Sequence, residues 1–235
     1  MNLILLLPED FVAESKVLLR GRRLLHIREV HRAVEGQALT VGRLDGLIGT
    51  GRVISISRDQ VELDVELTRE PPPPLPLTLV LALPRPKVLN RVIAAISSLG
   101  VKKLYVVNSW RVEKSYWKSP RLSSENLREQ CILGLEQAGD TMMPQIEMKR
   151  LFTPFLRDEL AGIAEGTRRL VAHPYESVPC PSATRGPITL IIGPEGGFIE
   201  DEIRAFCDLG FEPVSIGPRI LRVETAIPYL LARLS

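Results

Sequence analysis

The sequence predicts an α/β protein in two parts, a small antiparallel β-barrel over residues 1–70 and a mostly parallel sheet covered by helices over residues 77–235. Three observations carry this prediction. Pro71-Pro72-Pro73-Pro74-Leu75-Pro76 (71–76) breaks the chain, because consecutive prolines lack backbone donors and favour a stiff extended linker. Before it, short segments alternate apolar with polar residues, the pattern of half-buried strands. After it, continuous apolar runs interleave with helical patterns, as expected of a parallel sheet buried on both faces.

In the first part, the apolar run 3–7 reads as a strand: no cationic segment precedes it, and Glu9 and Asp10 follow directly, so it does not have the form of a signal peptide. Segments 38–41, 51–56 and 60–67 alternate apolar with polar residues, and Asp45-Gly46 supplies a turn between two of them. In the second part, 77–83 is a buried strand, and 88–99 has helical spacing until Gly100 stops it. A strand follows at 103–107, a helix at 123–138 that begins at a serine and ends before Gly139, and another helix at 155–164. Strands at 169–172, 188–192 and 213–216 and helices at 200–209 and 224–234 complete the chain.

Of the 235 residues 45% are hydrophobic and 25% charged, a balance that permits a substantial core and argues against disorder. The net charge of +2 hides an uneven distribution. Residues 1–70 hold ten Lys and Arg against eleven acids, residues 71–124 hold nine against one, and the remainder holds eleven against sixteen. A basic middle segment is the footprint expected of a polyanion binder. Cys131, Cys180 and Cys207 are odd in number and lack CxxC spacing, so they indicate neither a disulfide framework nor a zinc site; a reducing cytoplasm is expected. His26, His31 and His173 are scattered, and no metal is expected. No window approaches the ~20 apolar residues needed to cross a bilayer, so no membrane partner is expected.

The most specific signal is a pair of glycine loops. Gly193-Pro194-Glu195-Gly196-Gly197-Phe198 follows strand 188–192, and Gly217-Pro218-Arg219-Ile220-Leu221-Arg222 follows strand 213–216 and runs into Val223-Glu224-Thr225-Ala226. Loops at the carboxyl ends of strands are where open α/β sheets bind ligands. Glycine lets backbone approach a ligand, and proline holds the loop open, so the two loops predict a rigid pocket made mostly of main chain.

Together the loops GPEGGF and IGPRILRVETA resemble those of the SPOUT methyltransferases, trefoil-knotted enzymes that use S-adenosylmethionine, and most closely those of the RsmE family, which methylates N3 of a uridine in small-subunit (16S) ribosomal RNA. The resemblance is strongest over 186–226 and extends to Leu135-Glu136-Gln137-Ala138-Gly139. It implies a trefoil knot, a PUA-like RNA-binding barrel at 1–70, and a homodimer acting on ribosomal RNA or the small ribosomal subunit. It further implies that Ala172-His173-Pro174, the first loop (Gly193, Pro194, Glu195, Gly196 and Gly197) and the second (Ile216, Gly217, Ile220, Leu221, Arg222, Thr225 and Ala226) meet around S-adenosylmethionine. The chain departs from the family in two places. Residues 94–101 read AAISSLGV where the family has approximately QKATELGV, and Val223 stands where threonine is common.

Uracil N3 is a weakly acidic imide whose proton must leave before or during attack, placing negative charge on O2 and O4. Arg222 is the candidate for stabilising that charge, with Glu224 in support as a proton acceptor through water or as a holder of the arginine; Arg219 fits the same role. Glu195 either caps the following helix or contacts the cofactor. For RNA, the candidates are Arg20, Arg22, Arg23, Arg28 and Arg32, together with Arg85, Lys87 and Arg91. Trp110, Tyr116 and Trp117 among Arg111, Lys114 and Lys118 suit either base stacking or core and dimer contacts. Alternatives are methylation of another nucleotide, a non-catalytic RNA binder that keeps the fold, and an enzyme using GPEGG as a phosphate cradle. The last lacks a Walker lysine motif and GxGxxG.

Overall fold

The computed structural model describes residues 2–175, 177–183 and 185–235. The chain divides into two compact units, one of Met1–Pro73 with Ile132–Met143 and one of Pro74–Cys131 with Pro144–Ser235. The proline run therefore marks where the chain first passes between units. It gives no sign of the return through 132–143, which the sequence places in the second part.

The first unit contains β1 (Ile4–Leu6), β2 (Lys16–Leu19), α1 (Gly21–Glu29), β3 (Ala38–Arg43), β4 (Ile48–Ile56) and β5 (Val61–Arg69). Its sheet has the order β1-β3-β4-β5-β2, a half-barrel rather than the fully antiparallel barrel expected. β1 runs parallel to β3, with Ile4 opposite Val41, because the chain inserts β2 and α1 before it returns; the other pairings are antiparallel. Alternation along β3, β4 and β5 turns Val41, Val53, Leu63 and Val65 inward, where α1 covers them with Leu24 and Ile27. Asp45-Gly46 closes the β3–β4 hairpin, Asp45 adopting a left-handed φ of 55°. At Gly49 the β4–β5 register shifts, and a Cβ there would lie 1.9 Å from the Glu66 carbonyl oxygen.

Helix α3 (Ser124–Ala138) begins in the second unit, while its last turns belong to the first. Ile132 and Leu135 pack with Leu3, Leu5 and Ile48. The chain leaves the helix through Gly139 at φ 72°, a conformation glycine adopts freely. Thr141 then presses on Gly42, where a Cβ would meet its methyl group at 2.5 Å. Glu136 is wholly buried and its carbonyl accepts from the amides of Asn2 and Leu3. Arg22 Nη2 lies 2.8 Å from Glu136 Oε2, an ion pair between an exposed guanidinium and a buried carboxylate. Burial pushes the Glu136 carboxyl above its usual 4.5, and Arg22 opposes the rise.

The second unit has β6 (Leu77–Ala82), β7 (Lys103–Val107), β8 (Gln145–Lys149), β9 (Arg168–Ala172), β10 (Val178–Pro179), β11 (Ile188–Ile192) and β12 (Glu212–Ser215). Every pairing in the order β10-β12-β9-β11-β6-β7-β8 is parallel. β11 is central and buried along its whole length, as its unbroken apolar sequence requires. The helices are α2 (Pro86–Ser98), the first part of α3, α4 (Phe152–Pro154) continuing through a π-turn at Phe155–Glu159 into α5 (Leu160–Ile163), α6 (Glu200–Asp208) and α7 (Val223–Leu234). α7 continues through Pro228, which has no amide to donate. Near its end, α7 is held by the segment after β10: Ala183 N donates to Arg233 O at 2.9 Å, and Arg233 Nε donates to Cys180 O at 2.7 Å.

Two stability measurements follow from this packing. Gly49→Ala forces a methyl group onto backbone and is expected to destabilise the protein by about 1–3 kcal/mol, read from a denaturant midpoint. Because the folded-state value of Glu136 is raised, its contribution favours folding at low pH and is lost as pH rises from about 4.5 through that raised value. Glu136→Gln is therefore expected to gain in Tm relative to the unaltered chain as pH climbs through that window, with little difference below it.

Candidate cofactor and substrate site

The parallel register sets the carboxyl ends of β9, β11 and β12 side by side, with Ala172 opposite both Ile192 and Val214. The chain turns away from each strand at the same edge, so the segments 172–175, 193–198 and 216–222 surround one cavity of about 910 Å³. Every residue expected to hold the cofactor lines it except Thr225, whose side chain is exposed in the first turn of α7. Also lining the cavity are residues that sequence reasoning did not assign to it: Arg111, singled out only beside the aromatics for RNA, and Tyr175, Ile192, Phe198, Ile199, Glu200, Asp201, Val214, Ser215, Val223 and Leu230. Phe198 belongs to the first loop's motif, and Val214 and Ser215 end a strand whose loop was recognised. Arg111 had only its place in the basic segment to recommend it.

The first loop is built to be tight. Gly197 has φ 69° and its amide donates to Pro194 O at 2.8 Å, closing a turn that a β-carbon would strain. A Cβ on Gly193 would stand 3.2 Å from the Phe198 ring and 3.3 Å from Gly197 Cα. Phe198 is buried edge-on against Phe206 with ring centres 5.0 Å apart, and Phe206 in turn meets Phe152 and Phe211 at 5.8 and 6.2 Å. These aromatics form the floor beneath the loop.

Glu195 lines the cavity and does not cap α6. Its Oε1 accepts from the amide of Arg85 at 3.0 Å, at the residue preceding α2. The start of α6 is satisfied by Glu202 instead, which is nearly buried and accepts from Ile199 N at 3.0 Å and from Trp110 N at 2.8 Å. Gly196 O accepts from Arg111 Nη1. Three contacts thus tie the segment 195–202 to the residues after β6 and β7.

Arg222 is the residue before α7, with φ −67° and ψ 152°; its carbonyl accepts from Thr225 N and Ala226 N. Arg219 and Arg222 both line the cavity and are exposed. Glu224 does not pair with either. It accepts from Arg91 Nη2 at 3.2 Å and so links α7 to α2. His173 bonds through its amide to Val214 O, and its ring meets Tyr175 edge-on at 5.8 Å. Among the described residues no group of three His, Cys, Asp or Glu is placed to hold a metal. In the divergent stretch 94–101, the hydroxyls of Ser97 and Ser98 bond back to Ile93 O and Ala95 O, so they serve their own helix.

The first turn of α6 carries Glu200, Asp201 and Glu202, of which Glu200 and Asp201 line the cavity. An anion at that helix terminus would meet carboxylates, which removes the phosphate-cradle alternative. Arg111, Arg219 and Arg222 line the same cavity. The cavity lining therefore carries both carboxylates and guanidiniums.

In the first unit, Arg23 is largely buried, bonding Asp10 through both terminal nitrogens and Leu5 O, so it holds the fold together and is not available to RNA. Arg22 reaches Glu136 while remaining partly exposed. Arg20 donates to Gln60 Oε1 and Arg28 to the Arg58 carbonyl, both at the surface. Arg32 has a left-handed φ of 49° and remains partly exposed. Arg85 and Lys87 flank the start of α2, exposed.

Residues 71–235 match the model of an RNA methyltransferase domain. Over 232 residues the chain is 32% identical to ribosomal RNA small subunit methyltransferase E of Treponema pallidum, covering 96% of this chain and 87% of that one. It is 25% identical to ribosomal RNA small subunit methyltransferase E 2 of Borreliella burgdorferi, covering 97% and 94%. Among solved structures, the S-adenosylmethionine complex of the Neisseria gonorrhoeae methyltransferase E superposes with a TM-score of 0.77 at 24% identity, covering 99% of this chain and 95% of that one. A Legionella pneumophila protein with bound S-adenosylmethionine gives 0.74 at 27% identity, covering 98% and 95%. The fold is thus the SPOUT-type, trefoil-knotted α/β class with a PUA-like amino-terminal sheet. With its model matched across the whole second part and a relative aligned nearly end to end, the chain belongs to the RsmE family of RNA methyltransferases.

Proposed function

We propose that the chain methylates N3 of a uridine in small-subunit ribosomal RNA, using S-adenosylmethionine. The observation that carries this reading is the convergence of three strand-end turns on one main-chain cavity whose lining includes both carboxylates and guanidiniums. When bound, S-adenosylmethionine supplies a methyl group already made electrophilic by its sulfonium. The residues fit such a ligand. Gly193, Gly197 and Gly217 keep side chains out of the way, Glu200 and Asp201 suit a cation, and the turns at 172–175 and 193–197 present main chain for adenine and ribose.

What remains for the protein is to position the acceptor and to make it a nucleophile. Arg222, with Arg219 beside it in the loop, meets the negative charge that develops on O2 and O4 as the imide proton leaves. Glu224 supports this role from α7, where its pairing with Arg91 fixes the turn next to Arg222. The working form is a homodimer, and Ile220, 71% exposed, and Tyr229, 48% exposed, offer apolar surface for a second copy. Residues 1–70 grip RNA through Arg20, Arg22, Arg28 and Arg32, and Arg85, Lys87 and Arg91 do so in the second unit, where Lys87 and Arg85 are exposed.

The direct test is to incubate the purified protein with labelled cofactor and small ribosomal subunits from a strain lacking it, then to map the methyl by mass spectrometry. Methylation at uridine N3 is expected. A methyl on a ribose hydroxyl or another base overturns the target, and failure to bind the cofactor by calorimetry overturns the enzyme. Arg222→Gln is expected to lower methyl transfer by roughly 10²–10³ while leaving cofactor affinity within about threefold; unchanged turnover removes the role given to Arg222.

A further inference from the structure

The loop after β7 holds two tryptophans that are treated very differently. Trp117 is half-buried; its Nε1 donates to Asn108 Oδ1 at 3.0 Å, and the Arg150 guanidinium stands 5.8 Å from its ring centre. Trp110 is 79% exposed, the highest of the exposed large apolar side chains among the described residues. Its backbone is nonetheless fixed, because its amide bonds to the buried carboxylate of Glu202. The next residue, Arg111, lines the cavity and donates to Gly196 O. Arg85 is anchored by its amide to Glu195. The backbones of Trp110 and Arg85 and the side chain of Arg111 are therefore tethered to the single segment 195–202, most of which lines the cavity.

We propose that Trp110, flanked by Arg85 and Arg111, forms a nucleotide subsite on the rim of the cavity, where the indole stacks on an unpaired base of the RNA and the arginines hold its phosphates. The inference rests on the RNA-methylating function above and names a place on the second unit where the substrate is held. A rigid backbone with an uncovered aromatic face is what a stacking platform needs, since little further ordering is lost when a base settles on it. Charge complementarity identifies the occupant: Lys114, Lys118 and Arg121 lie exposed in the same stretch, and the one acid among them, Glu113, is occupied by the Tyr116 hydroxyl at 3.1 Å. A ring nitrogen can be methylated only when its base is splayed from its neighbours, so a surface that stacks bases beside the methyl donor serves that step.

Trp110 and Trp117 are the two tryptophans of the chain, so each can be read alone. In full-length Trp117→Phe, a short single-stranded oligouridylate is expected to quench the emission of Trp110; in Trp110→Phe, the emission of Trp117 is expected to change little. Trp110→Ala is expected to raise KM for small subunits between about fivefold and a hundredfold, with the calorimetric affinity for S-adenosylmethionine unchanged, and Trp110→Phe to recover most of the loss. Absent quenching together with an unchanged KM overturns the subsite. So does a Trp110→Ala protein that sediments as a smaller species than the unaltered chain, which assigns the ring to a contact between copies. If the unaltered chain quenches with RNA but does not bind S-adenosylmethionine, the subsite stands and the methylating function falls.

Discussion

The short segment that leaves β11 and enters α6 is the hub on which the candidate site depends, and the bond from Glu202 is its keystone. A carboxylate taken almost wholly out of water is costly unless its oxygens are satisfied, and each oxygen of Glu202 accepts one backbone amide, Ile199 N on its own helix and Trp110 N from the loop after β7. One side chain thereby sets the start of α6 and the course of a loop that arrives from a different strand. Seven residues earlier Glu195 does the same for Arg85 at the head of α2. The glycine loop is held from outside by these acids and from below by Phe198 in its aromatic pocket. The cavity wall can therefore be rigid although it consists mainly of glycine and proline, residues that bring few contacts of their own.

This arrangement explains which features were legible in the sequence. Strands β6, β7, β9, β11 and β12 fall within a residue or so of their expected places, because central parallel strands must be continuously apolar and the glycines that follow them are visible locally. The two edge strands escaped for the complementary reason. Gln145–Lys149 alternates polar with apolar residues and is only partly buried, and Val178–Pro179 is two residues long with an exposed face. The cavity lining was legible because it is contributed by loops whose glycines and prolines signal backbone geometry. The partners of Glu195 and Glu224 were not. They lie 110 and 133 residues away, and nothing in a local pattern distinguishes a glutamate that caps its own helix from one that fastens a remote amide.

The division of the chain was half legible for a similar reason. Prolines announce a crossing made in extended chain, but the return crossing is made inside α3, a regular helix with no change of composition where Cys131 gives way to Ile132. What marks it in hindsight is Glu136, a charged residue on the apolar side of that helix, buried beside Leu135. Its backbone carbonyl receives the amides of Asn2 and Leu3, and its carboxylate faces Arg22, so the segment 132–143 is built into the first unit by hydrogen bonds and charge as well as by the packing of Ile132 and Leu135.

The mixed charge of the cavity lining bears on how such a site accelerates methyl transfer. On the proposed reading the donor enters as a cation and leaves neutral, while the acceptor loses a proton and passes negative charge to its carbonyl oxygens. Groups that hold the cation too firmly stabilise the ground state more than the transition state and slow the reaction. Glu200 and Asp201 are exposed, and Asp201 is shared with Arg204, so water and that arginine weaken their pull on a sulfonium. In the proposed roles, Arg219 and Arg222 would meet charge that exists only as transfer proceeds, which is where an electrostatic contact contributes to rate rather than to binding. On the proposed reading, solvent-screened carboxylates thus hold the donor loosely while arginines of the same lining act on charge that develops in the acceptor, a division that suits methyl transfer.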